Sequence, residues 1–319
     1  MAIVQEILLP VARIFALMIG GFALFRIPLI QKSIQPFLFI TLNIIFPFHF
    51  IHNFSAGWDQ ALHSGWQWML VFFFACIIMM GIQYLLALLL VKKSSILESG
   101  FPREMIILFS VHNAGYIPLP LLHALVPTGL VVYMFFYFFA FNLVFWTLVA
   151  AYMTPQEGKT FSFKVNGPLI GIMTGFLLAA FDLYHYIPSF IQVPVRFVSE
   201  ISLYVILFLV GAIIGTIPLR YLQFKPVFKR LILIKMVLFP LAVWGLSFLL
   251  PLQGLDAEMA SGIRLALVIE AAVPPATNIM ITAKAYGTEE QVHFVGSGIM
   301  TTYLATLVVL PVFVILSLL

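Results

Sequence analysis

"HNAGYIPLP", residues 112–120, lies in the middle of an apolar stretch long enough to cross a bilayer. Two prolines, a glycine, an asparagine and a histidine crowd into it. Proline removes an amide donor and clashes with the preceding turn. Lipid offers no replacement hydrogen bonds, so a broken helix survives at that depth only when it is packed in protein or lines a cavity. The stretch therefore predicts a helical span, broken near its centre, whose break faces other parts of the chain.

The rest of the sequence agrees with a membrane setting. Of 319 residues, 63% are hydrophobic and 9% charged, where a soluble domain carries about 25% charged residues. The apolar excess runs along the whole chain, as in a multi-spanning protein. The first run, Ile3 to Phe25, has no basic leader and is too long for the apolar core of a signal peptide, so it is expected to be retained. The single cysteine, Cys76, excludes an internal disulfide and a thiolate metal cluster. A net charge of +4 points to no nucleic-acid partner.

A window of roughly 20 apolar residues predicts ten spans, near 3–25, 34–54, 66–91, 101–125, 129–153, 166–182, 196–217, 228–250, 261–284 and 292–317. The runs lack the period-two alternation of a transmembrane barrel. Basic residues occupy every other link: Arg26 and Lys32; Lys92, Lys93 and Arg103; Lys159 and Lys164; Arg220, Lys225, Lys229 and Arg230; and Lys284. The remaining links, near 55–65, 126–128, 183–195 and 251–260, have no Lys or Arg but carry Asp59, Asp256 and Glu258. The positive-inside rule then puts the basic links in the cytoplasm and both termini outside, with the chain in the plasma (inner) membrane. The polar link near 154–165 is too short to fold alone. The fold class expected is an all-α polytopic membrane protein, with residues 1–319 as one membrane domain.

Ten spans divide into halves of five, about 1–153 and 166–319. An odd number per half inserts the halves with opposite orientation, the inverted-repeat plan of many secondary transporters. Spans 4 and 9 then correspond. Span 9 holds "EAAVPPATNIM", residues 270–280, again with proline and asparagine near the middle. Pro118 is expected to open a half-helix, leaving free amides near Leu119 to Leu121, and Pro275 to do the same for Ala276, Thr277 and Asn278. Half-helix N-termini favour anions. The opposing C-termini, near His112–Asn113 and Ala272–Val273, favour cations.

The substrate-binding candidates are Asn113, Gly115, Pro118, Pro275, Thr277 and Asn278. An asparagine amide both donates and accepts, so it can mend the backbone and also touch a ligand; Gly115 is expected to let two backbones approach closely. Glu270, an acid inside a span, costs roughly 2.5 kcal/mol or more to insert and marks a site for ion or proton coupling. Arg13, halfway along span 1, is placed to attract an anion or to pair with Glu6 or Glu200. His112 reads as a hydrogen-bonded helix residue, His49 and His52 as interfacial, and Lys235 as snorkelling to the cytoplasmic surface. The 33 phenylalanines read as packing and lipid-facing residues. No zinc-protease, nucleophile-elbow or P-loop motif is present. The chain is expected to be no enzyme, with no catalytic residue and no metal.

"NAGYIPLPLL" (113–122) and "VPPATNIMITAKAYG" (273–287), with weaker matches at "NGPLIGIMTG" (166–175), "LVGAIIG" (209–215) and Pro47, resemble the auxin efflux carrier family in its prokaryotic, short-loop form. Bile-acid/sodium symporters share that broad architecture. The resemblance implies that spans 4 and 9 cross at their breaks. It also implies a scaffold of spans 1, 2, 6 and 7 and an elevator-like transport domain of spans 3, 4, 5, 8, 9 and 10. The short link between spans 5 and 6, and a span 3 with only Gln83 and no acid, depart from plant carriers and argue against auxin itself as substrate. The expected function is a secondary transporter that moves a small organic anion, such as malonate, malate or an indole acid, by alternating access. The alternatives are a sodium-coupled organic-anion symporter of the bile-acid type and a non-transporting membrane sensor. Expected partners are the organic anion and the lipid bilayer, with a homodimer left open. No cofactor is expected, with sodium or proton coupling left open.

Overall fold

The computed structural model describes residues 9–93, 100–153 and 166–318. No strand occurs among them; helix accounts for nearly all of the regular structure. Leaving aside helical segments of four residues or fewer, the helices are α1 (Leu9–Leu24), α2 (Ile34–Gly65), α3 (Gln67–Lys93), α4 (Pro102–Ser110), α5 (Pro118–Leu125), α6 (Thr128–Met153), α7 (Gly167–Ala180), α8 (Ser189–Gly215), α9 (226–247), α10 (Ala257–Ala272), α11 (Asn278–Tyr286) and α12 (Glu289–Leu318). Uninterrupted apolar sequence favours helix because each backbone donor finds its acceptor within the segment. Five of these helices, α2, α3, α6, α8 and α12, are long and apolar enough to cross a membrane.

Local signals set several boundaries. The Asn166 side chain accepts from the Leu169 amide and Asp256 from Met259, capping α7 and α10. Proline stands in the first turn of α4, α5 and α9, where its missing amide costs nothing. The stretch near 55–65, expected to be a link, is instead the last part of α2. Its Gln60 side chain accepts from the Gly129 amide and the Thr128 hydroxyl at the start of α6, both at 2.8 Å.

Large apolar side chains remain exposed on many helices, Phe190 at 75% and Leu249 at 78% among them. Such a coat is untenable in water and is the lipid face of a multi-pass membrane protein. Inside, Phe46 stacks on Phe50 at 5.0 Å and Phe50 meets Phe135 edge-on at 4.9 Å, joining α2 to α6.

Helix α1 packs along α8, and α7 along α2. Glycine makes both contacts possible. A Cβ on Gly211 would collide with the Met18 carbonyl, and one on Gly21 with the Phe208 carbonyl. On the other pair, a Cβ on Gly167 would strike the Leu42 carbonyl and one on Gly171 the Cα of Pro47. Small residues let membrane helices close on one another where lipid supplies no hydrophobic drive. The segments 166–175 and 209–215, and Pro47, are therefore close-packing surfaces.

Candidate functional site

Residues 111–117 separate α4 from α5, and residues 273–277 separate α10 from α11. The two gaps meet. The Asn113 amide donates to the Pro274 carbonyl at 2.9 Å, and the Ala276 amide donates to the Val111 carbonyl at 3.1 Å. His112 and Pro275 stand opposite one another as an isolated antiparallel bridge. Each break thus supplies backbone partners the other has lost, which the low-dielectric interior demands. Pro275 occupies the non-hydrogen-bonded position of this pair, where a missing N–H is harmless.

Pro118 opens α5, as the sequence suggests. Pro275 does not open α11, which begins at Asn278 with Thr277 as its N-cap residue. The amides near Leu119 to Leu121 are not free either. Leu119 donates to the Gly115 carbonyl at 3.1 Å and Leu121 to Ile117 at 3.4 Å, while position 120 is proline. The amide cradle expected at α5 is therefore largely spent on its own turn. Gly115 is needed for a close approach, but to a side chain: a Cβ there would enter the Phe138 ring.

The two asparagines are tied to tyrosines. Asn113 Oδ1 accepts from the Tyr116 amide at 3.0 Å, and its Nδ2 donates to the Tyr303 hydroxyl on α12 at 2.7 Å. The Tyr116 hydroxyl donates to Asn278 Oδ1 at 3.2 Å. Asn113, Thr277 and Asn278 are all buried. Tyr116 and Tyr303 escaped the sequence reading. Tyrosine in an apolar run looks like core, and only the breaks bring these hydroxyls within reach.

Behind the crossing, Glu270 is fully buried, and neither carboxylate oxygen has a hydrogen-bond partner among the described residues. His112 Nε2 lies 3.7 Å from Glu270 Oε2 and 2.7 Å from the Tyr137 hydroxyl. His112 is hydrogen-bonded as read, but it lies in the break between α4 and α5 and not in a helix, and it has an acidic neighbour. Lys235 does not snorkel. It is 0% exposed and donates to the Phe109 carbonyl at 2.6 Å and to Gln83 Oε1 at 3.1 Å. His49 is not interfacial but buried, 2.8 Å from the Ser202 hydroxyl oxygen.

Arg13 is separate from this centre. It lines a cavity of about 370 Å³ between α1, α2, α5 and α8, together with His52, Asn53, His123, Ser199 and Glu200. Glu200 pairs with Arg196 at 3.7 Å, and Glu6 lies outside the described residues. Pro120 also lines the cavity, two residues beyond the proline that opens α5. No group of three or more His, Cys, Asp or Glu suited to a metal occurs among the described residues.

Two comparisons bear on this arrangement. Residues 161–314 match the model of a family described as membrane transport protein, which is the auxin efflux carrier family. No curated protein matches the chain.

Proposed function

We propose, with the auxin efflux carrier family as the premise, that this membrane transporter carries a small organic anion of the carboxylate or indole-acid class by alternating access. The observation that carries the reading is the mutual pairing of the two broken segments, 111–113 with 274–276. Discontinuous helices meeting in the interior are how secondary transporters build a substrate site. In this reading the ten spans form inverted repeats, α4–α5 and α10–α11 being the matched broken ones. Both termini are extracytoplasmic in the plasma membrane.

The glycine-mediated pairs α1 with α8 and α7 with α2 support a scaffold of spans 1, 2, 6 and 7. The breaks belong to the moving part, with spans 3, 4, 5, 8, 9 and 10. The anion enters the cavity beside α5, where Arg13 supplies positive charge and His52 and His123 supply ring nitrogens. It then reaches Asn113, Gly115, Pro118, Pro275, Thr277 and Asn278 at the crossing. Glu270 takes the coupling role: a buried carboxylate without hydrogen bonds is costly unless a proton or cation accompanies it.

The test is uptake of radiolabelled malonate, malate and an indole acid into proteoliposomes, with and without sodium and with a proton gradient. Saturable uptake of one anion class supports the reading. Uptake that requires sodium favours the symporter. Binding of an anion without any flux favours a sensor.

A further inference from the structure

We propose that the crevice between α3, α4 and α6 binds the acyl chain of an anionic phospholipid whose phosphate rests at Arg103. That the lipid comes from the cytoplasmic leaflet follows from the orientation proposed above; the site itself does not depend on it.

The crevice has a volume of about 450 Å³. Its α3 wall is Ile77, Met80, Gly81 and Tyr84, spaced as one face of a helix. Gly81 in the middle of that face leaves the wall low, since a Cβ there would meet nothing within 4 Å. The α6 wall runs from Val144 to Tyr152 and includes the π-helical stretch Phe145–Val149, a wide turn of the kind that recurs at functional sites. Met80 and Ser110, which also line the space, are buried, so it reaches into the protein and is not merely part of the lipid-facing coat. Helix α3 packs directly on both α4 and α6. The space left between them is too narrow for a helix of a second copy, about 10–12 Å across with its side chains.

The chemistry of the crevice is graded along its length. Apart from Ser110 and two tyrosines its lining is apolar. The Ser110 hydroxyl is spent on the Ile106 carbonyl at 2.8 Å, so this part suits hydrocarbon. At the other end stand Tyr84 and Tyr152, both exposed, and tyrosine marks headgroup level in membrane helices. The Arg103 guanidinium lies over the Tyr152 ring, 4.6 Å from its centroid. No carboxylate pairs with Arg103 among the described residues, and the neighbouring Glu104 accepts from Gln291 at 2.6 Å. A lone cation above an apolar crevice matches a phosphate above an acyl chain. From Val144 to Tyr152 the helix rises about 12 Å, close to the roughly 15 Å of hydrocarbon in one leaflet. The chain therefore extends from the tyrosines to Val111, whose carbonyl accepts from Ala276 across the crossing. Lipid at this place packs the outer side of the break.

The test is native mass spectrometry and thermal melting of the purified protein, stripped of lipid in detergent. It is titrated with palmitoyl-oleoyl phosphatidylglycerol, the matching phosphatidylcholine, or glycerol 3-phosphate. Phosphatidylglycerol should give one retained adduct per chain and a saturable rise in melting temperature, as binding to the folded state requires. Phosphatidylcholine should need a concentration roughly tenfold higher, the effect of one charge-assisted contact. Glycerol 3-phosphate, a head without a chain, should leave the melting temperature unchanged. Arg103→Gln should bind the two lipids alike. Gly81→Phe puts a ring in the crevice, and should lose the adduct and the saturable shift while melting no lower than stripped wild type. If Gly81→Phe does not accumulate, Gly81→Leu is read in the same way. Equal shifts in wild type and the filled variant, a rise without saturation, or stabilisation by glycerol 3-phosphate overturns the proposal. So does a wild-type dimer without lipid adduct that the filled variant disperses, because a second copy then covers the crevice. Neither readout uses transport, so failure of the transport reading leaves this test intact.

Discussion

The hydroxyl of Tyr116 donates to Oδ1 of Asn278 at 3.2 Å, so a residue of one break holds the amide of the other. Tyr116 is itself fixed by its backbone amide on Asn113 Oδ1, at 3.0 Å. The two asparagines are therefore linked through one tyrosine, and a disturbance at either should be felt at both.

Asn113→Ala tests that link. It strands the Tyr116 amide and the Tyr303 hydroxyl, both buried, at about 1–3 kcal/mol for each unsatisfied group. Tyr303→Phe removes only the second contact. Melting of the purified proteins should rank wild type above Tyr303→Phe and Tyr303→Phe above Asn113→Ala. Equal losses in the two variants would mean that Asn113 does nothing for the backbone of the break.

The break at 111–117 was legible because proline, glycine and asparagine all act locally, and Pro118 opens α5 where the sequence placed it. Pro275 was misread for a physical reason. A proline that starts a helix and a proline at the non-hydrogen-bonded position of a bridge look alike in one dimension. Only the residue opposite it across the break, His112, distinguishes them. Lys235 was misread because position along a window gives depth but not direction, and its π-helical stretch turns it inward. The glycines at 167, 171 and 211 looked generic for membrane helices, since their meaning depends on Leu42, Pro47 and Met18, far away in sequence. The end of α2 near 55–65 was missed because a span window stops where apolar residues thin out, while the helix itself does not.

Arg13→Gln should weaken the anion's apparent affinity more than it slows turnover. Arg13 is exposed in the cavity beside α5, so its removal leaves no buried partner unpaired. A charge-assisted hydrogen bond contributes about 1.5–3 kcal/mol, which corresponds to a rise in KM of roughly ten- to hundredfold. Initial uptake rates across a range of substrate concentrations measure it. A fall in maximal rate at constant KM would remove Arg13 from substrate capture.

Gly211→Ala and Gly81→Ala make a matched pair. A methyl at 211 would overlap the Met18 carbonyl, whereas one at 81 meets nothing within 4 Å. The first should lower the yield of monodisperse protein sharply, because backbone must move. The second should be neutral or gain up to about 1 kcal/mol from helix propensity. Size-exclusion profiles of both, expressed in parallel, decide. Equal profiles would show that α1 and α8 do not depend on this contact.

Orientation can be read at two exposed positions. Lys225 precedes α9 and Gln253 lies between α9 and α10. The native Cys76 is buried, so cysteines introduced at 225 and 253 can be labelled against a quiet background. In intact cells an impermeant maleimide should reach Gln253→Cys, and Lys225→Cys only after permeabilisation. Labelling of both from one side would contradict the inverted-repeat arrangement and the placement of both termini outside.

Glu270→Gln addresses coupling. The carboxylate is 0% exposed, has no hydrogen-bond partner among the described residues, and lies 3.7 Å from His112 Nε2. A proton taken up by the carboxyl group itself would balance a charge buried there. A carboxyl group that gains and loses that proton during the cycle ties uptake to pH; an amide cannot. Uptake by wild type should therefore depend on pH, and Glu270→Gln should lose that dependence and should not drive accumulation against a gradient, while exchange of anion for anion persists. Glu270→Asp, which keeps the titrating group, should retain pH dependence at a reduced rate. An unchanged pH profile in Glu270→Gln, measured on protein with a wild-type melting temperature, would take Glu270 out of the coupling step and leave it as packing behind the crossing.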